Sequence, residues 1–125
     1  MSEHALVTLY GIPNCDQVRK TRAWLTSQSI EHVFHDIKKQ PLTASLLGKW
    51  IVQTGWERLL NRQSATWRNV DPARRAMVTD AISAIALLQE FPSIMKRPVL
   101  EFAGHIDIGF DALRYQSLLS AQASA

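Results

Sequence analysis

The first 37 residues read as a strand, a helix and a second strand, and this order restricts the fold more than any other feature of the chain. The stretch "ALVTLYG" alternates and is rich in β-forming residues, which predicts a strand over residues 6–10 that Gly11 closes. Apolar residues at helical spacing follow from Cys15, and "IEHVFHDI" predicts the second strand. A connecting helix between such strands favours parallel pairing. We therefore predict a parallel β-α-β unit at the start of the chain.

The middle of the chain reads as helical. Thr43 is predicted to cap a helix that runs to about Thr54. In "DPARRAMVTDAISAIALLQEFP", Asp71 is predicted to cap a single helix that begins at Pro72 and that Pro92 ends. The predicted inward stripe of this helix consists of Val78, Ala81, Ile82, Ile85 and Leu88. Between the two helices we expect a short irregular helical region in which Trp56, Leu59, Leu60 and Trp67 pack.

The last third of the chain returns to strands. "VLEFAGHIDIGF" predicts a β-hairpin over residues 99–102 and 105–108, with a tight turn at Ala103-Gly104. A final helix is predicted from about Asp111 to Leu119, with Leu113 and Leu118 facing inward. The order β-α-β, helical insertion, β-β-α is typical of an α/β thioredoxin-like fold. We predict a single domain over residues 1–125, with core halves at about 5–37 and 94–119 and the insertion at about 42–92.

Composition limits the class of protein. A chain of 125 residues and 14.1 kDa can bury one core without disulfides or metals, and 46% hydrophobic residues with a mean hydropathy of -0.09 are typical of soluble globular chains. No segment reaches the ~18 apolar residues of a membrane span, and the start lacks the pattern of a signal peptide. One cysteine cannot form an internal disulfide, which suits a reducing compartment. We therefore expect a cytoplasmic protein with no membrane partner.

The charge pattern bears on partners. The formal net charge is only +3, and the basic pairs Lys38-Lys39 and Arg74-Arg75 are short and far apart in sequence. Such pairs are typical of a solvated surface, so we expect no nucleic-acid partner. We also expect the protein to be a monomer. Trp24, Trp50, Trp56 and Trp67 fit core packing better than base stacking.

Cys15 lies where a strand pattern stops and a helical pattern begins. A thiol reacts as its thiolate, and the free amides and dipole of a helix N-terminus lower its pKa. Asn14 is predicted to cap these amides, and Arg19 would stand one turn along the helix from the sulfur. Free cysteine is also an ordinary small core residue, so spacing alone leaves both roles open.

Two further patterns in the sequence bear on a possible site. Pro98 precedes a predicted strand, where a cis bond would leave the backbone of Arg97 open to pair with a peptide substrate. His32 and His35 are three apart on a predicted strand and would point to opposite faces. With His4 and His105 equally isolated in the sequence, we expect no metal site.

The stretches "YGIPNCDQVRKTRAWL", "LLNRQSATWR", "KRPVLEF" and "IDIGFD" together resemble the ArsC/Spx/YffB family of thioredoxin-like proteins, most closely its YffB branch. The resemblance covers nearly the whole chain and implies one ArsC-like domain with a mixed four-stranded sheet. It also implies a reductase without a bound cofactor, with glutathione as reducing co-substrate. The substrate would be an unidentified small-molecule or protein thiol or disulfide.

The resemblance assigns roles to residues of this sequence. Cys15 would be the nucleophile, and Arg62 would support the intermediate. Arg19 and Arg97 would steady glutathione or an anionic substrate, because arginine offers a planar charged fork. Without the resemblance, Arg62 and Arg97 would be read as ordinary surface or salt-bridge residues. The implied glutathione- or substrate-binding set is Asn14, Arg19, Arg97 and Pro98.

Two departures from the family pattern narrow the function. Arsenate reductases carry another arginine after the hairpin, where this chain has Ile108 and Gly109, so we expect arsenate to be a poor substrate. Spx regulators carry a Cys-x-x-Cys switch, and Val18 replaces the second cysteine here. A mixed disulfide at Cys15 must then be resolved by an outside thiol such as glutathione. Two functions are alternatives to a glutathione-dependent reductase. One is a redox-responsive regulator that binds a protein partner, as Spx binds RNA polymerase, and the other is a weak arsenate reductase.

Overall fold

The structure is a computed structural model that describes residues 6–124, with side chains described through residue 120. His4 lies outside the described residues. The chain divides into two compact units, which we call the sheet unit (Met1–Asp36 with Arg97–Ala125) and the helical unit (Ile37–Lys96). The single domain expected from the sequence stays a prediction.

The elements follow the predicted order. They are β1 (Val7–Gly11), α1 (Asp16–Ser27), β2 (His32–Asp36), α2 (Ala44–Thr54), α3 (Trp56–Leu59), α4 (Ala65–Asn69), α5 (Pro72–Ala76), α6 (Ala81–Glu90), a 3₁₀ turn (Pro92–Ile94), β3 (Val99–Phe102), β4 (His105–Ile108) and α7 (Ala112–Ser124). In the described part of the chain, no helix combines the length and the apolar character needed to cross a bilayer.

The four strands form one mixed sheet in the order β2-β1-β3-β4. β1 pairs with β2 in parallel, and it pairs with β3 in antiparallel register, with Leu9 opposite Leu100. β3 and β4 form the predicted hairpin. Its two turn residues, Ala103 and Gly104, have φ values of 52° and 82°, as a two-residue hairpin turn requires. The predicted mixed α/β architecture is therefore confirmed.

One face of the sheet carries the core of the sheet unit, where α1 and α7 pack. The buried residues of this core are Val7, Leu9, Val18, Leu25, Leu100, Phe102 and Tyr115. The prediction that Leu113 faces inward is wrong, since it is 77% exposed, whereas Tyr115 of the same helix is fully buried. α7 also runs to Ser124, beyond its predicted end at Leu119.

The helical unit corrects one prediction and confirms another. Thr43 caps α2 by accepting a hydrogen bond from the Leu46 amide at 3.1 Å, as predicted. The single helix predicted from Pro72 is wrong, because α5 ends at Ala76 and α6 starts afresh at Ala81. Asp80 and Ser83 form a reciprocal capping box that begins α6.

This new start shifts the buried face of α6. Ile82, predicted to face inward, is 80% exposed. The fully or nearly fully buried residues of the helix are Ala84, Leu87 and Leu88. The predicted packing residues Leu59 and Leu60 are buried, as is Trp50, whereas Trp56 and Trp67 are half-buried.

Candidate functional site

Cys15 lies at the junction of β1 and α1. It is itself the N-cap of α1, with extended backbone angles (φ −140°, ψ 126°), so the prediction that Asn14 caps this helix is wrong. The Cys15 carbonyl accepts the first helical hydrogen bond from the Arg19 amide at 2.9 Å. Its side chain is half-buried and packs against the core of the sheet unit. The sulfur thus occupies the place of a capping side chain, where the free amides of the first turn point.

The groups around the Cys15 sulfur have opposing effects on the pKa of its thiol. Burial raises the pKa of the Cys15 thiol, because it disfavours the charged form. The backbone amide of Val18, the guanidinium of Arg97 and the amide of Gln17 interact with the sulfur and favour the thiolate. The thiol makes no conventional side-chain cap hydrogen bond, yet these groups together hold its pKa below the ordinary value of 9.0. Compared with an ordinary thiol, the Cys15 thiol is therefore shifted toward its thiolate form.

Arg97 and Pro98 bring the start of β3 to the thiol. Arg97 is half-buried, and its guanidinium hydrogen-bonds to Cys15 and contributes positive charge there. The Arg97-Pro98 peptide bond is cis. Pro98 is buried, and its carbonyl accepts a hydrogen bond from the Gly109 amide at 2.8 Å. Arg97 is thus the predicted binding arginine that contacts the sulfur directly.

Arg19 points to other partners. Its guanidinium forms an ion pair with Asp16 and donates a hydrogen bond to the Asn14 Oδ1 at 3.0 Å. It is not among the groups that lower the pKa of Cys15. Asn14 and Arg19 are both exposed and lie on either side of the thiol in sequence. Their roles in binding glutathione or substrate stay predictions.

Arg62 belongs to the helical unit, where it follows α3. Its guanidinium carbon lies 5.8 Å from the ring centroid of Trp56 and 6.0 Å from that of Trp67, which are cation-π distances. The side chain is otherwise exposed. The two rings orient the guanidinium within this unit, and its predicted support of the reaction intermediate stays a prediction.

Sequence reasoning missed the polar cluster at the end of β4. Arg114 forms ion pairs with Asp107 and Asp111, and the Tyr115 hydroxyl donates a hydrogen bond to the Gly109 carbonyl. The run "DIGFDALRY" holds a signal for part of it, because Asp111 and Arg114 are three apart on a helix start. The remaining contacts depend on the path of the loop.

The described histidines do not lie together at one site, since His105 is in β4 and the other two are in β2. His32 and His35 both lie in β2, and the His35 ring packs on Tyr10 with centroids 4.9 Å apart. Within residues 6–124, no three side chains of the metal-binding types converge.

Comparison with known proteins identifies relatives along almost the full length. The model of the ArsC family matches residues 10–118. The chain is 38% identical to an uncharacterised protein of Haemophilus influenzae, over 90% of this chain and 97% of that one. It is 32% identical to the global transcriptional regulator Spx 1 of Lactococcus lactis, over 85% of this chain and 83% of the regulator. These matches span both units.

Solved structures of related proteins have the same fold. The structure of the YFFB protein superposes with a TM-score of 0.86 at 37% identity, covering 90% of this chain and 98% of that one. An arsenate reductase-related protein of Brucella melitensis superposes with a TM-score of 0.73 at 40% identity, covering 94% and 97%. The fold described above is therefore shared with these relatives.

Proposed function

Because the chain belongs to the ArsC family, we propose that it is a glutathione-dependent thiol oxidoreductase that works through its single cysteine, Cys15. Its fold and its arsenate reductase-related neighbours support a thiol-dependent reductase in general. The observation that carries the finer proposal is the contact of the Arg97 guanidinium with a thiol at the N-cap of α1. Both features favour the thiolate, which is the attacking species in thiol-disulfide exchange.

The proposed cycle has two exchange steps. The Cys15 thiolate attacks one sulfur of a substrate disulfide, a Cys15 mixed disulfide forms, and the other sulfur leaves as a thiolate. If the substrate is a mixed disulfide with glutathione, Cys15 retains the glutathione part. A second glutathione thiolate then attacks that sulfur, which frees Cys15 and yields oxidised glutathione. The net reaction converts the mixed disulfide and one glutathione thiol into the substrate thiol and oxidised glutathione, so one disulfide is exchanged for another and Cys15 returns to the thiolate.

Single-cysteine chemistry follows from the composition. Val18 occupies the position one turn after Cys15 and is fully buried, so no second thiol of this chain can resolve the intermediate. An external thiol must do so, and glutathione is abundant in a reducing cytoplasm. We therefore place the protein in the cytoplasm and treat glutathione as co-substrate rather than bound cofactor.

The arginines have different proposed tasks. Arg97 favours the Cys15 thiolate and offers its charge to a carboxylate of glutathione or substrate. Arg19 and Asn14 are exposed residues that flank the thiol in sequence, and they are proposed to add to the binding set, with Pro98 holding the segment that carries Arg97. Arg62 is proposed to support the intermediate, as the family pattern implies.

The test is turnover of a disulfide reporter. The reduced full chain is incubated with bis(2-hydroxyethyl) disulfide and glutathione, and oxidised glutathione is measured through its enzymatic re-reduction. We expect turnover by the wild type, none above background by Cys15→Ser, and a loss of about tenfold in Arg97→Gln.

The matched control for this assay is Arg22→Gln. Arg22 lies in α1 and stacks on Phe34 with its guanidinium carbon 4.5 Å from the ring centroid, and it has no proposed role at the thiol. This variant loses the same charge as Arg97→Gln and is expected to retain activity. Equal turnover by wild type and Cys15→Ser would refute the proposal.

The similarity to Spx favours a second candidate, a redox-responsive protein-binding regulator. Its test is co-purification of the reduced and oxidised protein with RNA polymerase, the partner that Spx suggests. A stable complex without glutathione turnover would support this regulator over the enzyme. Residual arsenate reduction, suggested by the Brucella melitensis relative, predicts arsenate-dependent oxidation of glutathione. We expect little, because Ile108 and Gly109 stand where those reductases carry an arginine.

A further inference from the structure

Two neighbouring residues of α7 hold the loop that follows β4. We call Arg114 and Tyr115 the α7 clamp. The Arg114 Nη2 donates hydrogen bonds to the Asp107 Oδ1 at 2.6 Å and to the Ile108 carbonyl at 3.1 Å. The Tyr115 hydroxyl donates to the Gly109 carbonyl at 2.5 Å. Two consecutive carbonyls of the loop are therefore held from one turn of helix.

The clamped loop connects to the segment beside the thiol. The Gly109 amide donates to the Pro98 carbonyl at 2.8 Å, which extends the β3-β4 pairing by one residue beyond Val99 and Ile108. Gly109 has a φ of 84°, a conformation that glycine adopts without strain. Pro98 directly follows Arg97, whose guanidinium contacts Cys15. The contacts thus run without a gap from α7 to the sulfur.

Burial, ring contacts and a two-nitrogen ion pair restrain both side chains of the α7 clamp. Tyr115 is fully buried, and its ring meets Trp24 and Phe110 edge-on at centroid distances of 5.9 and 5.5 Å. The Asp107 side chain is only 16% exposed and accepts from both Nε and Nη2 of Arg114. A planar guanidinium bound at two nitrogens loses much of its freedom to rotate.

We propose that Arg114 and Tyr115 are positioning residues for the reaction of Cys15. They fix Ile108 and Gly109, and through the Gly109-Pro98 hydrogen bond they keep the Arg97 guanidinium beside the thiol. The inference rests on the proposed function, because this placement matters only if Cys15 reacts as a thiolate.

The test must separate two effects on the Cys15 thiol, namely the direct effect of a changed charge and the effect of a displaced Arg97 guanidinium. Among the described residues, Arg97 is the charged group that acts on the Cys15 thiol, and Asp16 and Arg19 of its own helix pair with each other. Replacing Asp107 by asparagine removes a negative charge, which by itself would favour the thiolate. Loss of positioning would disfavour the thiolate, so Asp107→Asn gives opposite results for the two explanations. Tyr115→Phe changes no charge at neutral pH.

The experiment measures the rate of Cys15 alkylation by iodoacetamide in the reduced full chain as a function of pH. Asp107→Asn and Tyr115→Phe are each expected to slow alkylation at neutral pH by about threefold and to move the titration midpoint upward. In an Arg97→Gln background, Tyr115→Phe is expected to have no further effect, because the group it positions is already missing. Arg22→Gln is the control for general surface changes.

The outcomes separate this inference from the proposed function. A low midpoint in the wild type that neither folded variant moves would overturn the positioning role alone, as would an undiminished effect of Tyr115→Phe in the Arg97→Gln background. A wild-type midpoint at the value of an ordinary thiol would overturn both. Circular dichroism verifies folding, and if Asp107→Asn does not fold, Tyr115→Phe and Arg114→Lys carry the test with the same expected slowing.

Discussion

Cys15 combines two properties that the sequence left as alternatives. It packs against the core of the sheet unit, as a small apolar residue would, and this burial favours the neutral thiol. The amides of Val18 and Gln17 and the guanidinium of Arg97 favour the thiolate, and their combined effect is the larger. One side chain therefore serves as a core contact and has a lowered pKa at the same time.

This lowered pKa predicts a pH-dependent contribution of Cys15 to stability. The native thiol loses its proton at a lower pH than the thiol of the unfolded chain, so between the two pKa values the unfolded state holds more protons. The free energy of unfolding should therefore rise with pH in the wild type relative to Cys15→Ser. The contribution is complete above the unfolded-state pKa and is lost as the pH falls through the native pKa. Urea unfolding of both proteins at matched pH, with reductant present, measures it, and a constant difference would contradict the lowered pKa.

The packing of β1 on α1 determines where Cys15 lies. Gly11 is the last residue of β1, and a Cβ added there would lie 2.6 Å from the Val18 Cγ2. Real Cβ atoms do not approach that closely, and Val18 is fully buried with a stiff β-branched side chain. The strand end therefore approaches the first turn of the helix as only glycine permits. Cys15 lies in the short connection between them.

We predict that Gly11→Ala destabilises the protein by about 1–3 kcal/mol, because Val18 must leave its preferred rotamer or the helix must shift. Val18→Ala alone loses buried apolar surface and leaves a cavity. The double variant should be more stable than the sum of the two losses by about 1 kcal/mol, since each change makes room for the other. Chemical denaturation of the four proteins measures this coupling. Simple additivity would show that the two residues are not in conflict.

Both tyrosines of the chain resist ionisation. Burial, together with the neighbouring Glu101 carboxylate, raises the pKa of Tyr10 from 10.0 to about 12, and Glu101 also accepts its hydroxyl hydrogen bond at 3.1 Å. Burial, together with the charge of Asp107, raises the pKa of Tyr115 as well. The two residues lie in β1 and α7, and both belong to the sheet unit.

The consequence is a loss of stability in alkali. Above pH 10 the tyrosines of the unfolded chain ionise whereas Tyr10 in the native protein does not until about 12, so the unfolded state holds fewer protons. The contribution of the tyrosines to stability should therefore be constant below pH 10 and fall as the pH rises toward 12. Tyrosinate absorbance followed beside circular dichroism should show ionisation and unfolding together. Titration of both tyrosines near 10 in a protein that stays folded would contradict the raised pKa values.

The sequence by itself determined the order of the elements and much of their extent. Strand alternation and turn chemistry act over a few residues, so the hairpin over residues 99–108 and the Thr43 cap could be read directly. The same local reading failed between Met77 and Asp80, where a continuous apolar pattern suggested one helix. Asp80 and Ser83, which form the capping box, are visible in the sequence. Residue propensities alone do not show whether such a pair starts a new helix or lies within a longer one.

Only the tertiary structure decided which side chains surround the thiol. Local spacing favoured Arg19, which instead pairs with Asp16 and Asn14, whereas Arg97 reaches Cys15 from the far end of the chain. Within the sheet, β3 lies beside β1, and this pairing brings the residue before β3 to the start of α1. The physical reason is that backbone periodicity is a local property, whereas the partners of a side chain depend on which distant segments the sheet brings together.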